Sequence, residues 1–314
     1  MPPVNRKAPV RAKSSESRYS LMEFSKRYPD DDACLEYLWR TRYAPDGERA
    51  VCPKEGIERA FRRYEMANRN TSWTCTGCGH HVHPTAGTIF HKSSTSLHLW
   101  FYAMYIMAST RCGISAKQLE RELGVTYKTA WRIFSKIRNQ LMTQDETSTL
   151  SGEVEADETY HGGKRKGRTG RPGGGDKQKT PVFGMVERNG KVVALTVPNV
   201  KADTLMPHIR KRILPASVVF TDEYGVYNQV GRNGYTHHRI NHSEGVYVSG
   251  NVHTNTIEGF WSLVKRGISG THHAVSAKWL QGYLNEYAWR YNHRDDPRAM
   301  FELLLLRAAT TLPV

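Results

Sequence analysis

The chain has 314 residues, of which 39% are hydrophobic, and it carries a formal net charge of +15 at pH 7. This length suits about two domains, and the composition excludes a fibrous or wholly disordered chain because a real core can form. A positive excess of this size favours a polyanionic partner, either nucleic acid or an acidic membrane face.

The N-terminus and the apolar runs narrow the class of protein further. Residues 1–18 are basic and rich in Pro and Ser, so we expect a disordered tail, and they lack the apolar segment of a secretory signal. The nearest candidate for a membrane span, at 97–110, is shorter than the ~20 residues that a bilayer requires. We therefore expect a cytoplasmic protein with no membrane partner.

Residues 19–92 contain a helical stretch followed by a cysteine cluster among short β-like segments. Three of the five cysteines lie close together, which favours a metal site over disulfides. Within the cluster, Cys52 and Glu55 have the same spacing as Cys75 and Cys78. This is the layout of a zinc ribbon with two C-x₂-C pairs, except that Glu55 replaces one cysteine.

The glutamate leaves three alternatives for this ribbon. Zn²⁺ accepts a carboxylate oxygen, so Glu55 is one candidate for the fourth ligand beside the three cysteines. A histidine from residues 80–83 is another candidate, and a metal-free ribbon that folds on its apolar contacts is the third. The other two cysteines, Cys34 and Cys112, fall in predicted helices, where we expect small buried residues.

Residues 93–145 are predicted to form three helices, at 97–110, 115–123 and 127–141. A short turn at Gly124 and Val125 joins the second helix to the third, and Thr126 is placed to cap the third. These are the proportions of a helix-turn-helix, whose second helix reads DNA bases near its start. The outward residues that we expect to meet DNA are Tyr127, Lys128, Arg132 and Lys136. A plain helical hairpin with solvated charges is the alternative.

From residue 151 the pattern changes to strands, and we predict one domain at 151–314. Five strands are predicted, at 152–160, 181–188, 191–197, 217–223 and 235–242. Asn189-Gly190 joins the second strand to the third and is a strong hairpin signal. Helices are predicted at 202–214, 253–269, 277–294 and 297–309.

Basic residues are concentrated in a Gly-rich segment at 164–180, which we predict to be a mobile loop. Basic contacts to phosphates give affinity without sequence information. The candidate contacts are Lys164, Arg165, Lys166 and Arg168 in the loop, with Arg266 in a later helix. A flexible solvated insert is the alternative for the loop. Trp261 is interpreted either as a contact to a frayed DNA end or as a packed core residue.

We expect folding to bring the carboxylates of three acidic residues close together. Asp157 lies in the first predicted strand, Asp222 ends the fourth, and Glu258 lies in the helix at 253–269. Three carboxylates from two strands and a helix are able to hold two divalent cations, and Mg²⁺ prefers such oxygen ligands. Two such ions activate one oxygen and stabilise another during in-line attack on a phosphodiester.

Other acidic residues near these positions are interpreted as solvated surface groups: Glu153, Glu155, Glu158 and Glu223. Glu155 nevertheless shares the strand face of Asp157, because residues two apart in a strand point to the same side. A shifted triad that uses one of these neighbours is the alternative.

Several segments together resemble the DDE transposases of bacterial insertion sequences, in particular the subgroup with an N-terminal zinc ribbon. The likeness covers roughly residues 25–307 and rests on EADETYHGGK, VFTDEYGVY, HTNTIEGFWSLVKRGISGTHH, WTCTGCGHHVHPTAGTIFHK and STRCGISAKQLERELGVTYKTAWRIF. The resemblance implies an α/β, ribonuclease H-like core with a mixed five-stranded sheet and helices. A small zinc ribbon and a helix-turn-helix region precede that core.

The resemblance also implies roles for individual residues. Asp157, Asp222 and Glu258 would be the metal-binding triad for two Mg²⁺ or Mn²⁺ ions. Lys265 lies seven residues after Glu258 on the same helix face, where similar enzymes have a basic residue that contacts DNA near the cut. Asn255 lies one turn before Glu258 and is expected to help orient the site.

The function implied is a DNA transposase that binds the terminal inverted repeats of an insertion sequence and then cuts and joins DNA strands. It would act at the nucleoid as a homo-oligomer that pairs two DNA ends. A DNA-binding regulator, or a domesticated transposase that no longer cuts, is one alternative, and the intact triad spacing argues against it. A nuclease that only cleaves is the other, and the ribbon with the helix-turn-helix argues against that.

Overall fold

The structure is a computed structural model that describes residues 19–65, 71–110, 112–144, 148–162, 179–240, 253–296 and 298–310. The chain divides into two compact units. The first unit consists of Met1–Arg111, Ala116–Leu141 and Asp295–Val314, and the second consists of Cys112–Ser115 and Met142–Arg294.

The described parts of the chain form the following α-helices and β-strands. The α-helices are α1 (Leu21–Arg27), α2 (Asp31–Arg42), α3 (Leu97–Ser109), α4 (Ala116–Leu123), α5 (Tyr127–Lys136), α6 (Ala202–Arg212), α7 (Asn255–Gly267), α8 (Ala277–Asn292) and α9 (Met300–Thr310). The β-strands are β1 (Arg49–Val51), β2 (Glu58–Glu65), β3 (Thr71–Cys75), β4 (His81–Val82), β5 (Glu153–His161), β6 (Thr180–Glu187), β7 (Val192–Thr196), β8 (Val218–Thr221) and β9 (Thr236–Arg239).

The first unit contains an antiparallel sheet in the order β1-β2-β3-β4, which carries the cysteine cluster. Its core is aromatic. Trp39 of α2 stacks on Trp73 of β3 with the ring centroids 4.9 Å apart, and Phe61 of β2 packs against Trp39 at 5.4 Å. Cys52 and Cys75 are buried in the same apolar cluster. This small sheet therefore has an apolar core in addition to its cysteines.

The helix pair α4–α5 of the first unit has the expected helix-turn-helix elements. Gly124 lies in the connecting turn with a φ of +61°, a conformation that glycine adopts without strain. The Thr126 side chain accepts a hydrogen bond from the Thr129 N–H and so caps α5, as predicted. A π-helical turn at Ile137–Leu141 continues α5.

The last helix, α9, also belongs to the first unit, which differs from the predicted domain at 151–314. The Phe301 ring lies 5.6 Å from that of Phe24 in α1 and 5.7 Å from that of Tyr105 in α3. Glu302 pairs with Arg27 at 2.9 Å. The apolar periodicity of α9 indicates a buried face, but it does not say which core that face covers.

The second unit is built on a mixed five-stranded sheet in the order β7-β6-β5-β8-β9. The pairs β5–β6 and β6–β7 are antiparallel, whereas β5–β8 and β8–β9 are parallel. The α/β class and the mixed five-stranded sheet expected from the ribonuclease H-like resemblance are confirmed.

Helices cover both faces of this sheet. One core cluster joins Val154 and Ala156 of β5 to apolar residues of α6, and another joins residues of β6 and β7 to α7 and α8. Because side chains alternate along a strand, Glu155 and Asp157 point to the face opposite to Val154 and Ala156. That face is the one that α7 covers.

Two short 3₁₀ turns, Gly225–Gln229 and Gly231–Asn233, connect the fourth strand of this sheet to the fifth. The segment between β8 and β9 contains three glycines, which disfavour a longer helix.

Among the described residues, none of the helices has the length and hydropathy needed to cross a membrane.

Candidate active site and metal centre

α7 lies close to the sheet because a glycine stands in β6 where the helix passes. Gly184 is the register partner of Asp157, and a Cβ at position 184 would overlap with the Trp261 ring. Trp261 fills this space, is 4% exposed, and donates its indole N–H to Asp157 Oδ2 at 3.0 Å. Of its two interpretations, Trp261 is the packed core residue, and it also orients a candidate carboxylate.

The environment of Asp157 disfavours its charged form in the metal-free protein. Burial is the largest cause, and the nearby carboxylates of Glu158 and Asp222 add to it, which together raise the pKa of Asp157 from 3.8 to about 7. The Trp261 hydrogen bond opposes the shift only in part. Asp157 and Asp222 are thus close enough for their charges to interact, which is the situation that a bound cation relieves.

The raised pKa predicts a stability that depends on pH. Below about pH 4 the Asp157 carboxyl is protonated in both the folded and the unfolded chain, and its stabilising contribution is then fully present. That contribution is lost as the pH rises through about 7, because the folded protein must then ionise a buried carboxyl. Asp157→Asn removes this cost. It is expected to raise the free energy of unfolding above pH 7 by roughly 1–2 kcal/mol, after allowance for solvent access.

We therefore expect Asp157→Asn to raise the Tm in EDTA at pH 8 by about 2–6 °C, with the difference vanishing towards pH 4. Thermal unfolding of both proteins across pH 4–8 measures this. A difference in Tm that does not change with pH would show that the Asp157 carboxyl is not destabilised by its surroundings.

The other two candidate carboxylates lie in different settings. Asp222 follows β8 directly and its Oδ1 accepts the Tyr224 N–H at 3.0 Å, which fixes the chain at the strand end. Glu258 is exposed in the first turn of α7, and the Thr254 hydroxyl donates to its Oε1 at 3.1 Å. Strand one, the end of strand four and a later helix are the predicted places for the three acids.

The three carboxylates are not gathered as tightly as the cysteine cluster. In the parts of the chain that the structure describes, only the cysteine cluster has three or more ligand atoms that all lie within 4.8 Å of one another. Two metal ions ~3.5–4 Å apart require a wider set of ligands than one ion does.

Asn255 and Lys265 are exposed on α7, one turn before and two turns after Glu258.

The neighbouring acids are placed differently from the prediction. Glu155 is fully buried and pairs with Arg188, so its interpretation as a solvated group is wrong. Glu158 accepts a hydrogen bond from the Tyr227 hydroxyl at 2.5 Å, and burial raises its pKa. Glu153 is partly exposed and reaches Arg188 at 3.1 Å. Glu223 is exposed as predicted.

In the cysteine cluster, segments 52–57 and 75–80 fold into the same turn. In each, the carbonyl of the first cysteine accepts the N–H four residues on, and its own N–H donates to the carbonyl five residues on. In each, the glycine four residues on has a positive φ, of +70° and +71°. Glu55 therefore occupies in the first turn the position that Cys78 occupies in the second.

The four side chains of these turns converge. The ligand atoms of Cys52, Glu55, Cys75 and Cys78 all lie within 4.8 Å of one another, and the two sulfurs of Cys52 and Cys78 are 3.5 Å apart. The backbone N–H of Cys78 points at the Cys75 sulfur and is the largest cause of the lowered pKa of Cys75. A lowered thiol pKa favours the thiolate that a metal binds.

The histidines that the sequence offered as a fourth ligand do not join this group among the described residues. His81 Nδ1 is instead 2.8 Å from the Thr74 hydroxyl, across the β3–β4 pair. Three thiols and a carboxylate are a donor set that suits Zn²⁺. Of the other cysteines, Cys34 is buried in α2 as expected, but Cys112 is exposed and lies outside a helix, so its predicted burial is wrong.

The candidate DNA contacts on α5 fall into two groups. Tyr127 and Lys128, at the start of the helix, are exposed. Arg132 is exposed but donates to the Thr95 hydroxyl at 3.0 Å. Lys136 is not outward as predicted, because it is half-buried and donates to the Ile89 carbonyl at 3.0 Å. Burial lowers its pKa.

The remaining basic candidates lie mostly outside the part of the chain that the structure describes, and these are Lys164, Arg165, Lys166 and Arg168. The predicted loop at 164–180 falls largely in the same stretch. Arg266 is exposed near the end of α7, beside Lys265.

Comparisons with known proteins point to one family. Residues 149–292 match the profile of the ISXO2-like transposase domain. An uncharacterized protein in transposable element ISH50 of Halobacterium salinarum is 29% identical over 268 residues, which cover 80% of this chain and 86% of that protein. An uncharacterized transposase-like protein of Haemophilus influenzae is 33% identical over 105 residues, which cover 33% of this chain and 84% of that protein.

A solved structure of a pre-cleavage Mos1 transpososome is also similar, with 13% sequence identity and a TM-score of 0.24. The match covers 68% of this chain and 79% of that chain. At this TM-score the likeness carries no argument about the site.

Proposed function

Because this chain belongs to the DDE transposases of insertion sequences, in the ISXO2-like group, we propose that it cleaves DNA at the ends of such an element and joins the freed ends to target DNA. The observation that carries the proposal is the placement of Asp157 on β5, Asp222 directly after β8 and Glu258 on α7, around one mixed sheet. The raised pKa of Asp157, to which Asp222 contributes, supports a site that is completed by cations.

In this proposal Asp157, Asp222 and Glu258 hold two Mg²⁺ or Mn²⁺ ions. When bound, such ions activate the attacking oxygen and stabilise the leaving oxygen of an in-line phosphoryl transfer. Trp261 keeps the Asp157 carboxylate oriented by its hydrogen bond to Oδ2. The exposed position of Glu258 leaves that side of the site accessible to a DNA strand.

Two further residues on α7 are proposed to handle the DNA. Lys265 is exposed two turns beyond Glu258, where its ammonium group would neutralise a phosphate near the cut. Asn255 is exposed one turn before Glu258 and would orient the bound strand through its amide. Arg266 adds a further positive charge beside Lys265. None of these side chains needs to form a covalent bond to DNA.

We propose that α4 and α5 recognise the terminal inverted repeats. Tyr127 and Lys128 stand exposed at the start of α5, which is the part of a recognition helix that meets bases. Arg132 is exposed on the same helix, whereas Lys136 is committed to Ile89 and contributes less. A homo-oligomer on DNA is part of the proposal, since joining requires two element ends.

We also propose that the cysteine cluster binds one Zn²⁺ through Cys52, Glu55, Cys75 and Cys78. The equivalence of the two turns supports Glu55 as the fourth ligand, because it stands where the second turn has a cysteine. Glu55 Oε2 also accepts from Arg59 Nε at 2.9 Å, which fixes the carboxylate as partners of metal ligands commonly do. The metal would brace the ribbon for DNA recognition.

A cleavage and joining assay tests the proposed function. The full chain is incubated with duplexes taken from both flanks of its gene, with Mg²⁺ or with EDTA, and with a supercoiled target. We expect Mg²⁺-dependent nicks at the element ends and joined products. Specific binding without nicks would favour the regulator, and nicks without joined products would favour a nuclease that only cleaves.

A further inference from the structure

We propose that Glu155 and Arg188 form a buried positioning pair that holds the three carboxylate-bearing elements in register. This inference rests on the proposed function, because it assigns a task to residues that surround the proposed metal site without joining it. Neither residue belongs to the proposed triad, and Glu155 points into the contact between β5 and α7.

Glu155 is attached to the start of α7. Its carboxylate accepts the backbone N–H of Thr256 at 2.8 Å and of Ile257 at 2.9 Å, and also the Thr256 hydroxyl at 2.9 Å. The first N–H groups of a helix have no partner within the helix. The N-cap residue of α7, Thr254, makes no side-chain cap and donates instead to Glu258. A strand residue therefore caps this helix.

The charge of Glu155 suits that position. A carboxylate at a helix N-terminus is favoured by the helix dipole, and its hydrogen bonds to backbone N–H groups are charge-assisted. Glu155 is 0% exposed, so an unpaired charge here would be strongly destabilising. The pairing with Arg188 Nε at 2.8 Å compensates this cost. His253 Nδ1 lies 3.2 Å from the same carboxylate.

Arg188 extends the connection to other elements. Its guanidinium reaches Glu153 on β5 at 3.1 Å and the His253 carbonyl, just before α7, at 2.8 Å. It also lies over the Phe220 ring of β8, with the guanidinium carbon 4.0 Å from the centroid. Glu155 and Phe220 are register partners across β5 and β8. One planar group thus touches all three elements.

The spacing along the chain links these contacts to the candidate site. Glu155 stands two residues before Asp157, Phe220 two residues before Asp222, and Thr256 two residues before Glu258. Glu155 and Asp157 both lie in β5, where residues two apart share a face, so a shift at Glu155 carries Asp157 with it. Phe220 is in β8, and Asp222 follows directly after the end of that strand. Each acid is therefore tied to the pair through a short and rigid stretch of backbone.

A buried ion pair adds little to the stability of a fold, because well-packed apolar residues of similar volume stabilise it as much or more. The pair instead provides direction. The Arg188 guanidinium donates to Glu155, to Glu153 and to the His253 carbonyl, and together with the helix cap it sets distances and angles that apolar packing leaves loose. Placing two metal ions requires such precision, because small displacements of their ligands reduce activity strongly.

Glu155→Gln tests the pairing, because the amide keeps the shape but loses the charge. In either orientation its NH₂ group faces donors, which are the α7 N–H groups on one side and Arg188 Nε on the other. Arg188→Lys is the second variant, which keeps the charge but loses the planar fork. Glu187→Gln is the matched control, because Glu187 precedes Arg188 at the end of β6 and its carboxylate accepts from the Ser151 hydroxyl at 3.2 Å. Strand cleavage, DNA affinity and Mn²⁺ binding by electron paramagnetic resonance are measured well below the Tm of each folded protein.

We expect Glu155→Gln and Arg188→Lys to lower the cleavage rate and the Mn²⁺ affinity by about 10–100-fold, with DNA affinity within about twofold of the wild type. High Mn²⁺ should restore part of the rate, and the control should match the wild type. If both variants keep wild-type Mn²⁺ affinity, the positioning role is refuted. It is also refuted if the rate falls only in proportion to unfolded protein. If the wild type binds Mn²⁺ but never cuts, the proposed function fails while the Mn²⁺ comparison still decides the pair.

Discussion

Glu258→Gln is expected to reduce Mg²⁺-dependent cleavage of element ends by about 10³-fold or more, while DNA binding stays within about twofold of the wild type. The side chain is exposed on the first turn of α7, so the substitution disturbs no core. Glutamine keeps an oxygen that accepts the Thr254 hydroxyl, and so preserves the local hydrogen bond. What it removes is the negative charge that a divalent cation requires.

The matched control for this variant is Glu223→Gln. Glu223 is an exposed carboxylate directly beside Asp222, and the same chemical change there is expected to leave cleavage within about twofold. Rates of nicking on end-bearing duplexes and binding by gel shift provide the two measurements. A Glu258→Gln protein that cuts at the wild-type rate would remove Glu258 from the triad and shift attention to the neighbouring acids.

Cys75→Ser is expected to abolish zinc binding and to weaken binding to the element ends by about tenfold or more. A serine hydroxyl is a poor zinc ligand at neutral pH, and the remaining two thiols and one carboxylate leave the site incomplete. Cys75 is buried within the aromatic core of the ribbon, so loss of the metal also loosens the β2–β3 pair there. Zinc content by mass spectrometry and end binding by gel shift measure these effects.

Two further variants make the zinc experiment decisive. Cys112→Ser changes an exposed cysteine outside the cluster and should leave the zinc content at about one ion per chain. Glu55→Cys places a thiol in the turn position equivalent to Cys78 and should slow zinc loss to a chelator. Wild-type protein purified without zinc, and unable to take it up, would leave the metal-free ribbon as the correct interpretation.

The sequence predicted most strands and helices of the second unit, because strand alternation and turn chemistry are local properties. The Asn189-Gly190 hairpin, the strand that carries Asp157 and the helix that carries Glu258 all follow from such patterns. Their assembly into one mixed sheet came from the family resemblance rather than from periodicity. The unit to which α9 belongs was predicted wrongly, because an apolar helix face does not specify the core that it covers.

The site was only partly predictable for a related reason. In the sequence, Glu155 is one of several acidic residues in the same strand, and nothing nearby distinguishes it. Its burial depends on a pairing with Arg188, thirty-three residues later in the chain. No local pattern reveals such a pairing. The signal that was available is that Glu155 shares the strand face of Asp157, which a helix had to cover. Lys136 shows the same limit, because its partner, Ile89, lies in a segment without regular structure.

Crystals of the full chain bound to an element-end duplex and soaked with Mn²⁺ would show whether Asp157, Asp222 and Glu258 share one metal site. Diffraction recorded at the manganese absorption edge should show two anomalous peaks ~3.5–4 Å apart, ligated by the carboxylates of Asp157, Asp222 and Glu258. Manganese peaks that leave out any one of these three acids, in a complex that cuts DNA, would show that the three acids do not form the metal site.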